Sequence, residues 1–187
     1  MFGGQTLIQI VDAALAEAAR KAGPWLVCRP GCFECCLGPF AITPEDADRL
    51  REGLASIDPE RAKRVRQRAR EYPESAGDEP CPALDPETGT CDLYEWRPIT
   101  CRTFGPPLHF RDESLAVCEL CFEGATVEEV AACEVEIDAE RPGEDEASET
   151  TVAQAIRGQT GYSPIPDATD PISTAKESGN IPSVPEL

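Results

Sequence analysis

Four cysteines fall within nine residues of this chain, in the stretch Cys28-Arg29-Pro30-Gly31-Cys32-Phe33-Glu34-Cys35-Cys36. Four sulfurs this close can converge on one point only if the loop curls round it, and Pro30-Gly31 supplies a turn. Thiolates held together repel one another unless a cation lies between them, so such loops usually form on a metal ion. The stretch therefore predicts a metal-binding loop.

The other six of the 10 cysteines lie further along the 187-residue chain. Cys81, Cys91 and Cys101 follow with nine residues between successive members, and Cys118 and Cys121 form a C-x2-C pair with chelate spacing. Cys133 lies in an apolar helical pattern and is predicted to be a core residue. Burial as small hydrophobic side chains is the alternative for Cys81, Cys91 and Cys101, because free cysteine is often buried.

Composition and charge narrow the classes of partner. Asp and Glu number 35 against 17 Lys and Arg, a net charge of -18, and such a surface repels DNA and anionic membranes. No apolar run approaches the ~20 residues of a membrane span. The amino-terminal stretch has no basic residue before Asp12 interrupts it, which is atypical of a signal peptide. We therefore expect a cytoplasmic protein with metal-bound cysteines, although an even cysteine count also fits a disulfide framework.

Capping signals predict four helices. Residues 6–22 carry an apolar face that ends at Gly23-Pro24, and Thr43-Pro44 and Asp58-Pro59 each begin another helix. A capping box at Thr126 predicts a fourth helix, with Val130, Cys133 and Ile137 on one side. The stretch from Asp85 to Gly89 is typical of a turn between short extended segments.

The predicted fold is mostly α with irregular cysteine-rich loops, a small single domain organised on a metal. We divide the chain into an amphipathic helix (1–24), a cysteine-cluster metal-binding domain (25–140) and an acidic tail (141–187). The tail contains many Pro, Ser and Thr residues and too few apolar ones to offset its chain entropy, so we expect disorder there. A short helix at Val152–Ile156 is the exception that the pattern allows.

The third predicted helix is strongly basic. Six of its residues between 61 and 70 are cationic: Arg61, Lys63, Arg64, Arg66, Arg68 and Arg70. One interpretation is a docking face for an acidic protein partner or RNA. The other is a solvated face, or an internal partner for the acidic run between Glu134 and Glu146.

The cysteine motifs together resemble a bacterial cysteine-cluster family, the YkgJ-like proteins, described as zinc- or iron-chelating (CxxCxxCC). The resemblance covers roughly residues 25–122 and includes Cys81-Pro82 and the segment from Cys91 to Arg102 with Tyr94 and Arg97-Pro98. The family pattern has two residues between its first cysteines, whereas three separate Cys28 from Cys32. The resemblance implies metal chelation by these cysteines and supplies no reaction.

The predicted ligands are seven cysteines, with two further candidates and two arginines in a second shell. They are Cys28, Cys32, Cys35, Cys36, Cys81, Cys91 and Cys101, then Cys118 and Cys121, with Arg97 and Arg102 offsetting the thiolate charge. Sulfur donors suit zinc or an iron–sulfur cluster. A tight cysteine loop with a distant further ligand favours a [4Fe–4S] cluster, whereas zinc usually takes two separated knuckles. Zinc, and two separate sites, stay open.

Catalysis has little support in the sequence, which predicts no catalytic residue. Flagellin lysine N-methylases look similar over the first cluster and imply an alternative, a methyl-transfer component that uses S-adenosylmethionine. A glycine-rich nucleotide loop after a strand is missing from the sequence. A zinc-stabilised interaction module that uses the basic helix is the other alternative.

Overall fold

A computed structural model describes residues 4–73, 77–111, 113–114, 117–140 and 150–158 of the chain. The helices within these ranges are Gly4–Ala22 (α1), Pro44–Ser56 (α2), Pro59–Glu71 (α3), Ile99–Arg102 (α4), Val127–Ala132 (α5) and Val152–Arg157 (α6). The strands are Ala41–Ile42 (β1), Leu84–Asp85 (β2), Thr90–Cys91 (β3), Leu108–Phe110 (β4), Glu113–Ser114 (β5), Val135–Ile137 (β6) and Thr150–Thr151 (β7). About half of the described residues are helical, as the predicted fold class requires.

The helices α2 and α3 form a hairpin that begins at the predicted caps. The Thr43 hydroxyl accepts a hydrogen bond from the Asp46 N–H at 3.2 Å, and the Asp58 carboxylate accepts from the N–H groups of Glu60 and Arg61. Each helix starts with proline, whose fixed φ suits the first turn. Only two residues join the helices, so they pack antiparallel, and both predicted starts are confirmed.

Helix α6 completes the core of this hairpin. Its Val152, Ala155 and Ile156 pack with Leu50 of α2 and Val65 of α3, and β7 pairs antiparallel with β1. The short helix expected near Val152–Ile156 is confirmed, but its assignment to a disordered tail is wrong for residues 150–158. Apolar residues four apart supplied too short a signal to predict burial. The rest of the tail, 141–149 and 159–187, lies outside the described residues.

A second layer packs on α1, which confirms the helix predicted over 6–22. The central strand β4 pairs antiparallel with β5 and parallel with β6, in the order β5–β4–β6. Val11, Ala14 and Ala18 of α1 pack against Phe110 and Ile137 of this sheet. The capping box at Thr126 is confirmed, but α5 ends at Ala132. Ile137 therefore lies in a strand, contrary to the helix that we predicted through it.

The hairpin of β2 and β3 is the turn that the sequence predicts. The Asp85 carboxylate accepts from the Glu87 N–H at 2.8 Å, and Gly89 has a φ of 65°, where glycine is favoured. The register pairs Leu84 with Cys91. Within the described part of the chain, no helix combines the length and apolar character that a membrane crossing needs.

Candidate metal centres

The structure divides nine of the cysteines between two places, so the tight first stretch does not converge on one point. We call Cys35, Cys36, Cys81, Cys91 and Cys101 the core-side cysteines, because two of them, Cys81 and Cys91, pack against the core formed by α2, α3 and α6. We call Cys28, Cys32, Cys118 and Cys121 the loop-side cysteines. Cys133 is buried in a small apolar cluster with Ala22 and Phe122, as predicted for a core residue.

Backbone pairing brings the core-side cysteines together. The Cys81 N–H donates to the Cys36 carbonyl at 2.7 Å, and the Leu84 N–H donates to the Cys81 carbonyl at 2.8 Å. The pairing of Leu84 with Cys91 then holds Cys91 beside Cys81. Three segments that are distant in sequence are thereby joined at this side of the core.

Cys101 enters the same group on the short helix α4, which a buried carboxylate anchors. The Ile99 N–H donates to both carboxylate oxygens of Asp46, at 3.2 and 3.3 Å. Asp46 belongs to α2, is 2% exposed, and its burial raises its pKa. Asp46 thereby ties the first turn of α4 to the core, a role that its local sequence does not indicate.

Four of the core-side thiols, those of Cys35, Cys81, Cys91 and Cys101, resist ionisation in the absence of a cation. Burial raises the pKa of Cys81 to about 12 and raises the pKa values of Cys91 and Cys101, the last also through Cys81 and Cys91 themselves. A hydrogen bond with Cys36, together with burial, raises the pKa of Cys35. Such thiols lose their protons readily only when a metal ion binds, because the ion stabilises the thiolate.

Arg97 supplies positive charge beside this group and lacks a partner for one of its nitrogens. Its guanidinium lies 3.6 Å from the centroid of the Tyr94 ring, and its charge lowers the pKa values of Cys35 and Cys91. Its Nε is buried with no hydrogen-bond partner among the described residues. A buried unpaired donor costs about 1–3 kcal/mol, so an acceptor is expected there. Thiolates bound to a metal would be such acceptors.

Arg102 does not serve the sulfurs as the sequence analysis expected. Its guanidinium donates to both oxygens of Asp12, at 2.7 and 2.8 Å, and to the carbonyls of Arg97 and Glu95. Asp12 neutralises its charge, and the side chain joins α1 to the Glu95–Arg97 turn. The correction follows from a partner that lies 90 residues away, which local sequence context does not show.

The loop-side cysteines meet where two loops cross. Cys121, Cys118 and Cys32 lie near enough to Cys28 to raise the pKa of its thiol, and Cys118 also raises the pKa of Cys121. The Cys118 N–H donates to the Gly105 carbonyl at 3.1 Å. Gly105 has a φ of 120°, and a Cβ there would lie 3.4 Å from the Cys28 sulfur. Burial and the neighbouring Cys121 raise the pKa of Cys28 to about 12.

Neither group of cysteines has the geometry of a complete metal-coordination site. Among the described residues, no three His, Cys, Asp or Glu side chains are arranged so that they could hold a metal ion as they stand. The donor sets nevertheless suit a soft metal, because each consists of sulfur alone. The thiols would have to close on an ion, and the ligand set predicted from the sequence stays a prediction.

The basic helix is partly engaged in structure. Arg68 of α3 contacts the Asp92 carboxylate at 2.6 Å and the Pro82 carbonyl at 2.9 Å, and Arg61 contacts Asp92 at 3.3 Å. The side chain of Asp92 is only 5% exposed, so these contacts hold the β2–β3 hairpin, with Cys91 and the preceding Cys81, against α3. Asp92 is therefore an internal partner of the basic helix, whereas the sequence pointed to the acidic run between Glu134 and Glu146.

Comparison with known families agrees with the cysteine pattern. The CxxCxxCC model, described as a putative zinc- or iron-chelating domain, matches residues 27–122, slightly more than half of the chain. The protein belongs to the CxxCxxCC family. The matched range of this CxxCxxCC protein begins just before Cys28 and ends just after Cys121, so it contains both cysteine groups. No curated protein and no solved structure gives a significant match to it.

Proposed function

We propose that this CxxCxxCC protein binds metal through two cysteine centres, and that the core-side cysteines hold an iron–sulfur cluster. The observation that carries the proposal is the buried, unpartnered Nε of Arg97 beside Cys35 and Cys91. Four thiolates on a [4Fe–4S] cluster or on zinc leave about two negative charges. An arginine with a buried Nε offsets that charge and donates a hydrogen bond, which it cannot do to neutral thiols as effectively.

Five core-side cysteines exceed the four ligands that either species needs, so one would be spare. Iron–sulfur chemistry is favoured here because adjacent Cys35 and Cys36 combine with distant Cys81, Cys91 and Cys101, unlike the two separated knuckles of structural zinc. When bound, the cluster would supply electron transfer or structural stability. The polypeptide contributes burial, which limits access of water and oxidant, and the charge of Arg97.

The loop-side cysteines are proposed as the second centre. Cys28-x3-Cys32 and Cys118-x2-Cys121 are two separated knuckles, which is the arrangement that structural zinc uses. The position of Gly105 supports this grouping, because its carbonyl accepts from the Cys118 N–H and a Cβ there would lie 3.4 Å from the Cys28 sulfur. Zinc would then cross-link residues 28–32 to residues 118–121, where otherwise loops alone meet.

Anaerobic purification with elemental analysis and a visible spectrum tests the proposal. We expect iron and sulfide with absorption near ~400 nm, typical of thiolate-bound clusters, together with about one zinc per chain. Cys101→Ala should remove the iron and leave the zinc. Cys133→Ala, which alters a buried cysteine outside both groups, should keep both metals. A colourless protein that retains only zinc in both variants would contradict the iron–sulfur assignment.

Arg97 provides the sharper variant. Arg97→Met keeps an apolar stem of similar length but removes the charge and the donor, and we expect it to lower cluster occupancy and shift the reduction potential. Arg102→Met removes a neighbouring arginine that is already neutralised by Asp12, so it serves as the control. It should alter folding stability more than cluster properties. Equal effects of both variants on the cluster would remove the argument from Arg97.

The remaining functional expectations are tested separately. Turnover of S-adenosylmethionine with a lysine acceptor would favour the methyl-transfer alternative over a non-catalytic metal protein. A colourless protein with stoichiometric zinc would favour the interaction module. Pull-down by an acidic protein that is lost in Arg64→Gln would support docking at the basic helix, since Arg61 and Arg68 already contact Asp92. Cell fractionation would test the expected cytoplasmic location.

A further inference from the structure

A cleft of about 270 Å³ lies between α2, α3 and α6, away from the residues that make up either cysteine group. Four arginines line it, Arg51, Arg66, Arg70 and Arg157, and its apolar lining includes Leu54 and Ile156. No acidic side chain is among the lining residues that the structure describes. Such a gathering of cations is unexpected in a protein whose net charge is -18.

Two of the four arginines have roles in the fold. Arg157 donates to the carbonyls of Ala69 and Tyr72 and so caps the end of α3 with a residue of α6. Arg51 pairs with Asp48 at 2.6 Å on its own helix, but that carboxylate is 74% exposed and the pair is therefore weak. Both guanidinium groups still contribute positive charge to the cleft.

Arg66 and Arg70 have no such role. They lie four residues apart on α3, and hence on one face, and neither forms an ion pair with the acidic residues of the described ranges. Arg61 and Arg68 of the same helix do reach an acid, Asp92. Packing therefore accounts for Arg61 and Arg68 on the Asp92 side of α3 and leaves Arg66 and Arg70, whose side chains are exposed at the cleft, available to an anion.

We propose that this cleft binds a small phosphate-bearing molecule. Guanidinium groups bind phosphate through paired N–H donors, and several directed at one space favour two or more negative charges. The volume suits a small ligand, and the apolar lining suits an organic portion carried by the phosphate. The overall negative charge disfavours a long polyanion, which would extend beyond the cleft onto the acidic surface.

Isothermal titration calorimetry, which measures the affinity of the metal-loaded protein for pyrophosphate, tests this inference. Arg66→Gln/Arg70→Gln should weaken binding at least about tenfold, since each charge-assisted contact contributes on that scale. Lys63→Gln/Arg64→Gln is the matched control, because it removes two charges from the same helix outside the cleft, and it should change affinity less than about threefold. Both variants should keep their metal content and melting temperature, which separates this test from that of the metal centres.

Three results would overturn the inference. They are an equal loss of affinity in the two double variants, the absence of measurable pyrophosphate binding to the parent protein, and tighter binding of a polyglutamate peptide with the same dependence on Arg66 and Arg70. The last result would assign the cleft to an acidic polypeptide.

Discussion

The two cysteine groups contain the same donor atoms but rest on different supports. The core-side cysteines border the largest apolar cluster, where Leu50, Val65 and Ile156 are almost fully buried. The loop-side cysteines border a smaller cluster, and Cys28 is exposed. On the proposed assignment, the core-side centre would rest on packed helices, whereas the loop-side centre would depend more strongly on its ion for order. The comparison therefore distinguishes a metal that binds to an already packed core from a metal that itself holds loops together.

Metal removal should give the largest effect and should act unequally. Structural zinc binds with apparent free energies of ~10–16 kcal/mol in peptides, so loss of it removes most of what orders the loop side. We expect amide hydrogen exchange in residues 117–133 to accelerate by at least about 100-fold after chelation. Helices α2, α3 and α6 should change by less than about tenfold. Equal acceleration throughout would show that the core also depends on metal.

Gly53→Ala should disturb the core-side support. A Cβ at Gly53 would lie 2.6 to 2.9 Å from atoms of Trp96, the residue next to Arg97. Alanine normally stabilises a helix relative to glycine, but this clash should lower the unfolding free energy by about 2–3 kcal/mol. Urea unfolding with metal analysis measures both consequences. Ala55→Gly, at an exposed position of α2, should cost about 0.5–1 kcal/mol without loss of iron; a stabilised Gly53→Ala protein would contradict the packing.

Gly105→Ala should weaken the loop side alone. The φ of 120° at Gly105 is strained for alanine by about 1–2 kcal/mol, and the added methyl group would fill the space beside the Cys28 sulfur, 3.4 Å away. We expect reduced zinc content with unchanged iron, measured by elemental analysis on one preparation. Gly124→Ala has an open environment at a φ of 80° and controls for backbone strain alone. Loss of iron in Gly105→Ala would show that the two groups are not independent.

Removal of a helix cap should have the smallest effect of these changes. Thr151→Ala should lower the unfolding free energy more than Thr126→Ala does. Both threonines form capping boxes, at α6 and α5 respectively. Removing a cap costs about 1 kcal/mol when the helix contributes to the core, as α6 does through Val152 and Ile156. Helix α5 has no buried residue, so its fraying should cost less. Thermal unfolding of the two variants distinguishes these outcomes.

Local sequence signals predicted the local structure well. Thr43-Pro44 and Asp58-Pro59 fix helix starts through contacts within three residues, and the Asp85–Gly89 turn depends on its own side chain in the same way. Failures came where distant partners decide. Ile137 continues a helical pattern but pairs with Phe110 as a strand, because β4 offers an open edge.

The candidate site shows the same limit. Cysteine spacing selected the candidate residues, yet Cys28 and Cys35 fall into different groups because Cys28 lies beside Gly105 and the stretch at Cys36 pairs with Cys81, both far along the chain. Arg102 was expected to balance thiolate charge, whereas Asp12 already balances it. Asp92 and Asp46 carried no signal beyond being acidic residues in an acidic chain. Spacing therefore predicts which cysteines are candidate ligands, and tertiary packing determines which of the two groups each cysteine joins.

The pairing of β1 with β7 has a consequence for biosynthesis. Ala41 and Thr151 are paired although they lie 110 positions apart, and α6 follows immediately after this pairing. The hairpin of α2 and α3 emerges from the ribosome long before the segment that closes over it. The apolar face of the hairpin therefore stays uncovered until translation has passed Arg157. During that interval the neighbouring thiols are accessible to metal donors and to oxidants.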